Sequence, residues 1–564
     1  MTGSRVALLW WVAAFVVHRA LLIALGFDGV YFWEETYRLL IAEALRSGWA
    51  IPFHDLQADP YAGGSLVFAG LTALVTAVTG PSIVVLKAVA LAWSALGLWL
   101  WLLVADNVFG RRTANALGLA WLAAPPVFAV FNVVGQGFHS DTVTLSGLQW
   151  LLMYRYVARS TDRSIARARL FAWMAAAGLS IWFSYTSALT FAAGLAYAFA
   201  AGALPLRSWP LAAAGFAAGF SPWIVRYAIA GGALDIVGET FARGGAGRAG
   251  YVARLFDVTV HGVPVALYFR NIGVPGDVKV SRDLLSYPYL AVCAAAWIAA
   301  TSAGLLRIVS GIARSTSTLG AHVRQSPELA ILVVFPLFLA TIAASNQEFN
   351  DYGMVRWFTF RIIVPALPSL FFAVALAVAR APRLISVAAL SVCVAAGAIG
   401  TLQIVNDGSG HRALAESEAR ETGAEAYGHL VVFKHGTDPI FGPRIDALPP
   451  ELRGRAYRGV GFSFAYLFGT RRSDASASGL TKALLSVDPE YRAAAIEGAR
   501  AAIREGLEQV APLPPSPRRD ELAAAIDQAE AAPREAPSLG SLAFLDVAIS
   551  SPTRCRMREG QDRG

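Results

Sequence analysis

The sequence predicts an all-α, polytopic membrane protein with an additional, mainly helical region at its C-terminal end. Of its 564 residues, 56% are hydrophobic and only 15% are charged, and the mean hydropathy is +0.50. Soluble globular domains are less apolar and carry more charge. Repeated apolar runs of about 17–25 residues are typical of membrane-spanning helices.

About eleven spanning helices are predicted from the apolar stretches of the sequence. One stretch, 65–80, is only about sixteen residues long and is bounded by Gly and Pro, so we interpret it as a re-entrant or surface helix. The stretches are 5–27, 65–80, 83–105, 114–131, 141–156, 170–186, 188–204, 210–226, 287–306, 328–345, 359–379 and 384–404.

Arginine-rich loops determine the predicted orientation, because short loops rich in Lys and Arg remain in the cytoplasm. The N-terminus is then cytoplasmic, 5–27 is an uncleaved signal anchor, and the predicted location is the bacterial inner membrane. The arginine-rich loops are 110–112, 155–169, 307–327 and 380–383. The loops predicted to face outward are 28–82, 132–140, 227–286 and 346–358.

The net charge of +8 is carried almost entirely by arginine. We interpret this excess as a bacterial coding bias and not as a nucleic-acid-binding surface. The three cysteines are scattered, which argues against a disulfide framework or a Cys-based zinc site. The sequence lacks phosphate-loop and dinucleotide-binding glycine motifs, which argues against soluble-nucleotide chemistry.

Two domains are predicted: a membrane domain, 1–405, and an extracytoplasmic region, 406–564. After residue 405 no further apolar span follows, and charge, Gly and Pro increase. Asp488-Pro489-Glu490 is typical of a helix start, and another short helix is predicted over about 520–531. The last dozen residues are predicted to be disordered.

An acidic pair, Glu34-Glu35, follows the first span and is accompanied by Tyr37. Carboxylates at a membrane face are costly to remove from water, which favours a functional role. A carboxylate that is partly desolvated binds a proton more readily and can act as a general base. An ordinary acidic loop end explains the same residues.

A polar turn from Asn132 to Asp141 connects two predicted spans on the outer side. His139 and Asp141 in this turn are candidates for lining a pocket. Helix capping by Ser140 or Asp141 explains the same pattern.

Arg361 enters a late span and is followed by Pro365 and Pro368, which kink a helix. A guanidinium at this depth needs an anionic partner, and a phosphate fits it bidentately. Tyr352 and Arg356 precede it in the same outer segment. Snorkelling of Arg361 to lipid headgroups is the alternative.

Together these stretches resemble the integral-membrane glycosyltransferases of the GT-C fold, in particular bacterial relatives of protein O-mannosyltransferases and the RgtA/B/C/D-like enzymes. In that group an acidic pair and an aromatic residue stand at the place of Glu34-Glu35 and Tyr37. The resemblance covers residues 1–405. The other matching motifs are Gly80-Pro81-Ser82, Phe109-Gly-Arg-Arg-Thr-Ala114, Ala124-Pro125-Pro126 with Asp141, Gly219-Phe-Ser-Pro-Trp223, and Arg361 with Pro365 and Pro368.

The resemblance implies a polyprenyl-phosphate sugar as the lipid-linked donor and an acceptor hydroxyl on the outer, periplasmic face. The acceptor is a glycan, lipid or protein, and transfer inverts the anomeric centre. Glu34 or Glu35 would be the base, although relatives carry Asp where this chain has Glu34. A divalent cation is compatible with the three acids, and the loop 227–286 is a candidate lid. The other implied site residues are Asp141 and His139, which orient acceptor or base, Arg361 and Arg356 on the phosphate, and Tyr37 and Tyr352 on the substrate.

Two other functions remain open from the sequence. One is a polytopic transporter or flippase in which Glu34, Asp141 and Arg361 are pathway charges. Transporters usually place such charges in mid-span and show paired halves, and neither is evident in the sequence. The other is a non-catalytic, GT-C-like scaffold that presents its C-terminal region to partners.

Overall fold

The regular elements of the computed structural model are all helices in the part of the chain that it describes. Tyr352, Arg356 and Arg361 lie outside this part, as do the last dozen residues and much of the predicted lid. The described residues are 3–27, 29–30, 33–51, 56–57, 63–135, 137–158, 163–229, 250–263, 267, 279–314, 318–344, 362–406, 416–435, 441–470, 477–506 and 517–532.

Gly or Pro occurs in most of the segments that connect the helices of the first 229 residues. Pro126 occupies the first helical turn that follows Pro125, where its missing N–H is not needed. The helices are α1 (Gly3–Leu22), α2 (Trp33–Ser47), α3 (Gly64–Thr79), α4 (Ile83–Val104), α5 (Arg111–Leu122), α6 (Pro126–Phe131), α7 (Thr142–Val157), α8 (Arg163–Phe183), α9 (Ser187–Ala200) and α10 (Trp209–Ile229).

The middle of the chain adds a long helix and several short ones. A 3-10 turn, Val364–Ala366, leads into the helix that begins at Leu367, because Pro365 and Pro368 cannot donate backbone hydrogen bonds. These helices are α11 (Tyr251–Asp257), α12 (Lys279–Arg314), α13 (Leu319–Arg324), α14 (Glu328–Leu332), α15 (Val334–Ala344), α16 (Leu367–Arg380) and α17 (Arg383–Asn406).

Four helices of the described chain are long and apolar enough to cross a membrane: Val6–Gly26, Ile83–Phe109, Tyr287–Arg314 and Arg383–Leu402. Four more apolar helices are shorter: Gly64–Thr79, Ser187–Ala200, Glu328–Ala344 and Val364–Arg380. The predicted count of about eleven spans is therefore not confirmed by length and composition. Among the described residues, every exposed large apolar side chain lies between Val6 and Leu402, which is typical of a lipid-facing surface.

One end of the bundle, which we call the arginine-rich end, gathers the turns that carry most of the loop arginines. Tyr154 donates to the carbonyl of Pro327 (2.6 Å), and Arg324 donates to that of Ala201 (2.7 Å). The buried carboxylate of Glu328 forms ion pairs there with Arg307 and with Arg380, the latter at 3.6 Å. These contacts tie α12, α14 and α16 together. The cytoplasmic placement of this end stays a prediction.

Six further helices follow residue 415 in the described part of the chain, and their hydrophobic core is separate from the main core of the bundle. Helix α2 belongs to this second core through Tyr37, Leu40, Ile41 and Ala44. Close backbone contacts at glycines bring three of the six helices together. The six are α18 (Glu416–His435), α19 (Phe441–Asp446), α20 (Pro450–Thr470), α21 (Ala477–Leu485), α22 (Arg492–Ala501) and α23 (Pro517–Ala531).

The helix predicted to start at Asp488 begins later in the structure, at Arg492. The Asp488 carboxylate accepts a hydrogen bond from the backbone N–H of Glu490 (2.9 Å), which makes a local turn. Such a side-chain bond offers the backbone an alternative to the helix. The predicted helix over 520–531 lies within Pro517–Ala531.

Candidate functional site

The predicted acidic residues lie at the end of the bundle opposite the arginine-rich end. The first turn of α2 carries Glu34 and Glu35, whose residues are 4% and 0% exposed. Early residues of α4, the loop 137–141 and the turn 183–187 surround this region. Burying two neighbouring carboxylates is expensive, so each requires compensation from nearby polar or positive groups.

Lys87 supplies that compensation for Glu35. Its Nζ lies 2.8 Å from Glu35 Oε1, and both side chains are 0% exposed. Ser82 sets the start of α4, because its side chain accepts a hydrogen bond from Val84 N (3.2 Å). Lys87 follows in the next turn. Sequence reasoning missed this residue, although a single lysine near the start of an otherwise apolar span is a usable signal.

Arg38 is the second buried cation of the site and is 0% exposed. Its guanidinium carbon lies 5.2 Å from the centre of the Tyr37 ring and 4.9 Å from that of Phe138. These distances are typical of cation–π contacts. Arg38 follows Glu34 by four residues on α2, and this helical spacing places both on one face. The sequence analysis did not single it out.

Asp141 organises the loop that faces α2. Its Oδ2 accepts hydrogen bonds from the backbone N–H groups of Gly137 (2.8 Å) and Phe138 (3.3 Å). Helix α7 begins at Thr142, so Asp141 belongs to the connecting turn His139–Asp141, outside the helix. Burial raises the pKa of Asp141 to about 8, against the opposing effects of the two backbone bonds and of Arg38.

Asp141→Asn is expected to make the protein more stable than wild type at pH 8, and the difference should shrink toward pH 5. A carboxyl whose folded-state pKa lies above its unfolded value of 3.8 binds more protons when folded. Its contribution to stability is therefore lost as the pH rises through the folded pKa. An asparagine oxygen can still accept both backbone bonds. Thermal unfolding of both proteins between pH 5 and 9 measures this, and identical pH profiles would contradict it.

His139 joins this loop to the turn between α8 and α9. Its Nδ1 lies 3.0 Å from Ser184 Oγ and 3.4 Å from Thr186 Oγ1. The Tyr185 ring stands edge-on to the imidazole, with ring centres 5.1 Å apart. The hydroxyls therefore fix the ring orientation of His139 beside Asp141.

The start of α3 packs closely against the end of α8 and the 137–141 loop. The backbone N–H of Gly63 donates to the carbonyl of Trp182 (2.9 Å). Gly137 has a φ of +65°, and a side chain there would collide with the backbone of Gly64. Glycine is therefore required on both steric and conformational grounds. Three connections that are distant in sequence thus meet at one place.

Tyr37 packs against the C-terminal helices. It is 0% exposed, its hydroxyl donates to the carbonyl of Leu56 (3.3 Å), and its ring stacks on Tyr427 with centres 6.4 Å apart. Its predicted contact with substrate stays a prediction. This packing was not visible in the sequence because Tyr427 belongs to the C-terminal region.

The predicted phosphate-binding residues, Arg361 and Arg356, and Tyr352 lie outside the described residues. The turn Val364–Ala366, which follows Arg361 in sequence, packs against His139–Asp141. In the described ranges, no three His, Cys, Asp or Glu side chains are grouped as a metal site, and a divalent cation stays a prediction.

Comparisons with known proteins give only distant similarity. No protein family and no curated protein sequence matches this chain. It is similar to ArnT from Cupriavidus metallidurans bound to undecaprenyl phosphate, with 14% identity, a TM-score of 0.37, and coverage of 92% of this chain and 77% of that chain. It is also similar to the oligosaccharyltransferase AglB from Archaeoglobus fulgidus in complex with an inhibitory peptide and a dolichol-phosphate, with 15% identity, a TM-score of 0.39, and coverage of 78% and 59%.

Proposed function

We propose that this protein is a membrane glycosyltransferase of the GT-C type that moves a sugar from a polyprenyl-phosphate donor to an acceptor hydroxyl on the outer face. The observation that carries the proposal is the buried charge cluster of Glu34, Glu35, Lys87 and Arg38 at one end of an apolar bundle. Carboxylates and cations held together next to a membrane suit a reaction in which a hydroxyl loses a proton while a phosphate leaves.

Glu34 is the proposed base. The carboxylate of Glu35 is paired with Lys87 at 2.8 Å. Glu35 is therefore assigned a supporting role, in which it orients Glu34. Glu34 would accept the proton of the acceptor hydroxyl while the hydroxyl oxygen attacks the anomeric carbon. The bond from that carbon to the lipid phosphate breaks, the phosphate leaves as an anion, and a single displacement inverts the anomeric centre.

Positive charge near the leaving phosphate stabilises the transition state. Arg361, with Arg356, is proposed to bind the donor phosphate, since a guanidinium binds phosphate bidentately. Arg38 adds a buried positive charge between two aromatic rings. Lys87 acts on the site indirectly, through its ion pair with Glu35.

The remaining predicted residues are proposed to shape the site. His139, held by Ser184 and Thr186, would orient the acceptor, and Asp141 would support it by ordering the loop. Tyr352 is proposed to contact substrate. Tyr37 would support the site by holding α2 in place. In this proposal the end of the bundle that carries Glu34 and Glu35 faces outward. Residues 406–564 then lie outside the inner membrane, and the arginine-rich end lies in the cytoplasm.

The purified protein in detergent is expected to transfer a radiolabelled sugar from a polyprenyl-phosphate donor to a glycan or lipid acceptor and to release polyprenyl phosphate. A panel of donors that differ in sugar and prenyl length is needed, because neither is fixed by the residues. The control is the same protein in sealed vesicles, with donor flipping followed in the absence of acceptor. Flipping or uptake without any transfer would identify a transporter and would overturn the proposal.

A further inference from the structure

Helix α2 lies between α3 of the bundle and α18 of the C-terminal helices, and it packs against both. Its apolar residues Tyr37, Leu40, Ile41 and Ala44 are part of the core formed by α18 to α23. They recur at helical spacing and therefore line one face of α2. On the bundle side, Leu66 and Ala69 of α3 belong to the same core, and the ion pair Glu35–Lys87 joins α2 to α4.

Three specific contacts join α2 to α18. Arg420 binds the carboxylate of Glu43 bidentately, at 2.8 and 2.7 Å. The rings of Tyr37 and Tyr427 are stacked. Gly423 lies so close to α2 that an added Cβ would stand 2.6 Å from the carbonyl oxygen of Thr36 and 3.1 Å from Leu40 Cβ.

We propose that the C-terminal helices are a positioning part of the site: through Arg420, Gly423 and Tyr427 they hold α2 so that Glu34 and Glu35 meet Lys87 and the 137–141 loop. This inference rests on the proposed function for its link to catalysis. The physical reason is that a bidentate ion pair and a close backbone contact fix both the translation and the rotation of a helix. Small displacements of reacting groups are costly, since an error of about 1 Å can reduce a rate about 100-fold.

Gly423→Ala tests the close contact. The new methyl group must push α2 away, because it meets the α2 backbone and not a flexible side chain. We expect kcat to fall roughly 10- to 100-fold, with the KM for the donor little changed. Gly454→Ala is the matched control on α20, since nothing lies within 4 Å of its added Cβ.

A charge exchange keeps the test valid if Gly423→Ala folds poorly. Glu43→Arg and Arg420→Glu should each lower kcat, and the double variant should recover most of it, because the double variant restores the attraction with its polarity reversed. A role limited to general stability would move the melting temperature without this kcat recovery. Loss of kcat in both single variants and in the double variant alike would count against positioning through this pair.

Hydrogen exchange separates this inference from the proposed function. In wild-type protein the amides of α2 should exchange slowly, and Gly423→Ala and Arg420→Glu should speed their exchange while Gly454→Ala does not. This readout needs no substrate. Unchanged α2 protection in both variants overturns the positioning role even if sugar transfer is observed. Faster exchange in a protein with no transferase activity overturns the proposed function and leaves the positioning of α2 supported.

Discussion

Lys87→Met should lower the free energy of unfolding by about 3–5 kcal/mol, because it leaves the Glu35 carboxylate buried without its cation. The two side chains are 2.8 Å apart and 0% exposed, so solvent cannot replace the lost partner. Denaturant unfolding in a fixed detergent, followed by tryptophan fluorescence, measures the difference.

The double variant Lys87→Met/Glu35→Gln is the informative control for this pair. It removes both charges while keeping similar volumes, and it should regain most of the stability lost by Lys87→Met. If Lys87→Met alone is as stable as wild type, Glu35 is compensated by other groups, and the ion pair does not hold the first turn of α2.

Glu34→Gln is expected to reduce the rate of sugar transfer by about 10²–10⁴-fold, which is the usual contribution of a general base. Glutamine is nearly isosteric with glutamate but cannot accept the proton, so donor binding and the fold should persist. The measurement is kcat for release of polyprenyl phosphate at saturating donor. Glu421→Gln is a matched control, since Glu421 forms an exposed pair with Arg455 on the C-terminal helices.

The chemical basis of this loss can be tested with the acceptor. An acceptor whose hydroxyl ionises more readily needs less help from a base, so Glu34→Gln should lose less activity with it. Full activity of Glu34→Gln together with an inactive Glu35→Gln would transfer the role of base to Glu35. Full activity of both would remove the carboxylate base from the mechanism.

The sequence was informative about which loops meet and less so about how their side chains pair. Counting spans and arginine-rich loops placed Glu34, His139 and Asp141 on one side, and in the structure their loops lie at one end of the bundle. The pairing of Glu35 with Lys87 depends on how α2 crosses α4. That crossing is a tertiary property with no signature in either segment alone.

The C-terminal region accounts for most of what the sequence left undetermined. Only two of its helices were predicted, because its apolar residues are spaced loosely and are mixed with alanine and glycine. Tyr37 was assigned to substrate through the family resemblance, and the sequence contained no sign of its stacking on Tyr427. The number of spans is not confirmed, since several of the predicted spans form shorter apolar helices in the described chain, Val364–Arg380 among them.

The second core has a practical consequence for protein engineering. Residues 33–47 pack with helices that begin nearly four hundred residues later, so the module that folds together is not contiguous in the chain. A chimera that exchanges residues 406–564 between two such proteins would set a foreign surface against α2. Exchange would preserve the interface only if α2 travels with its distant partner helices.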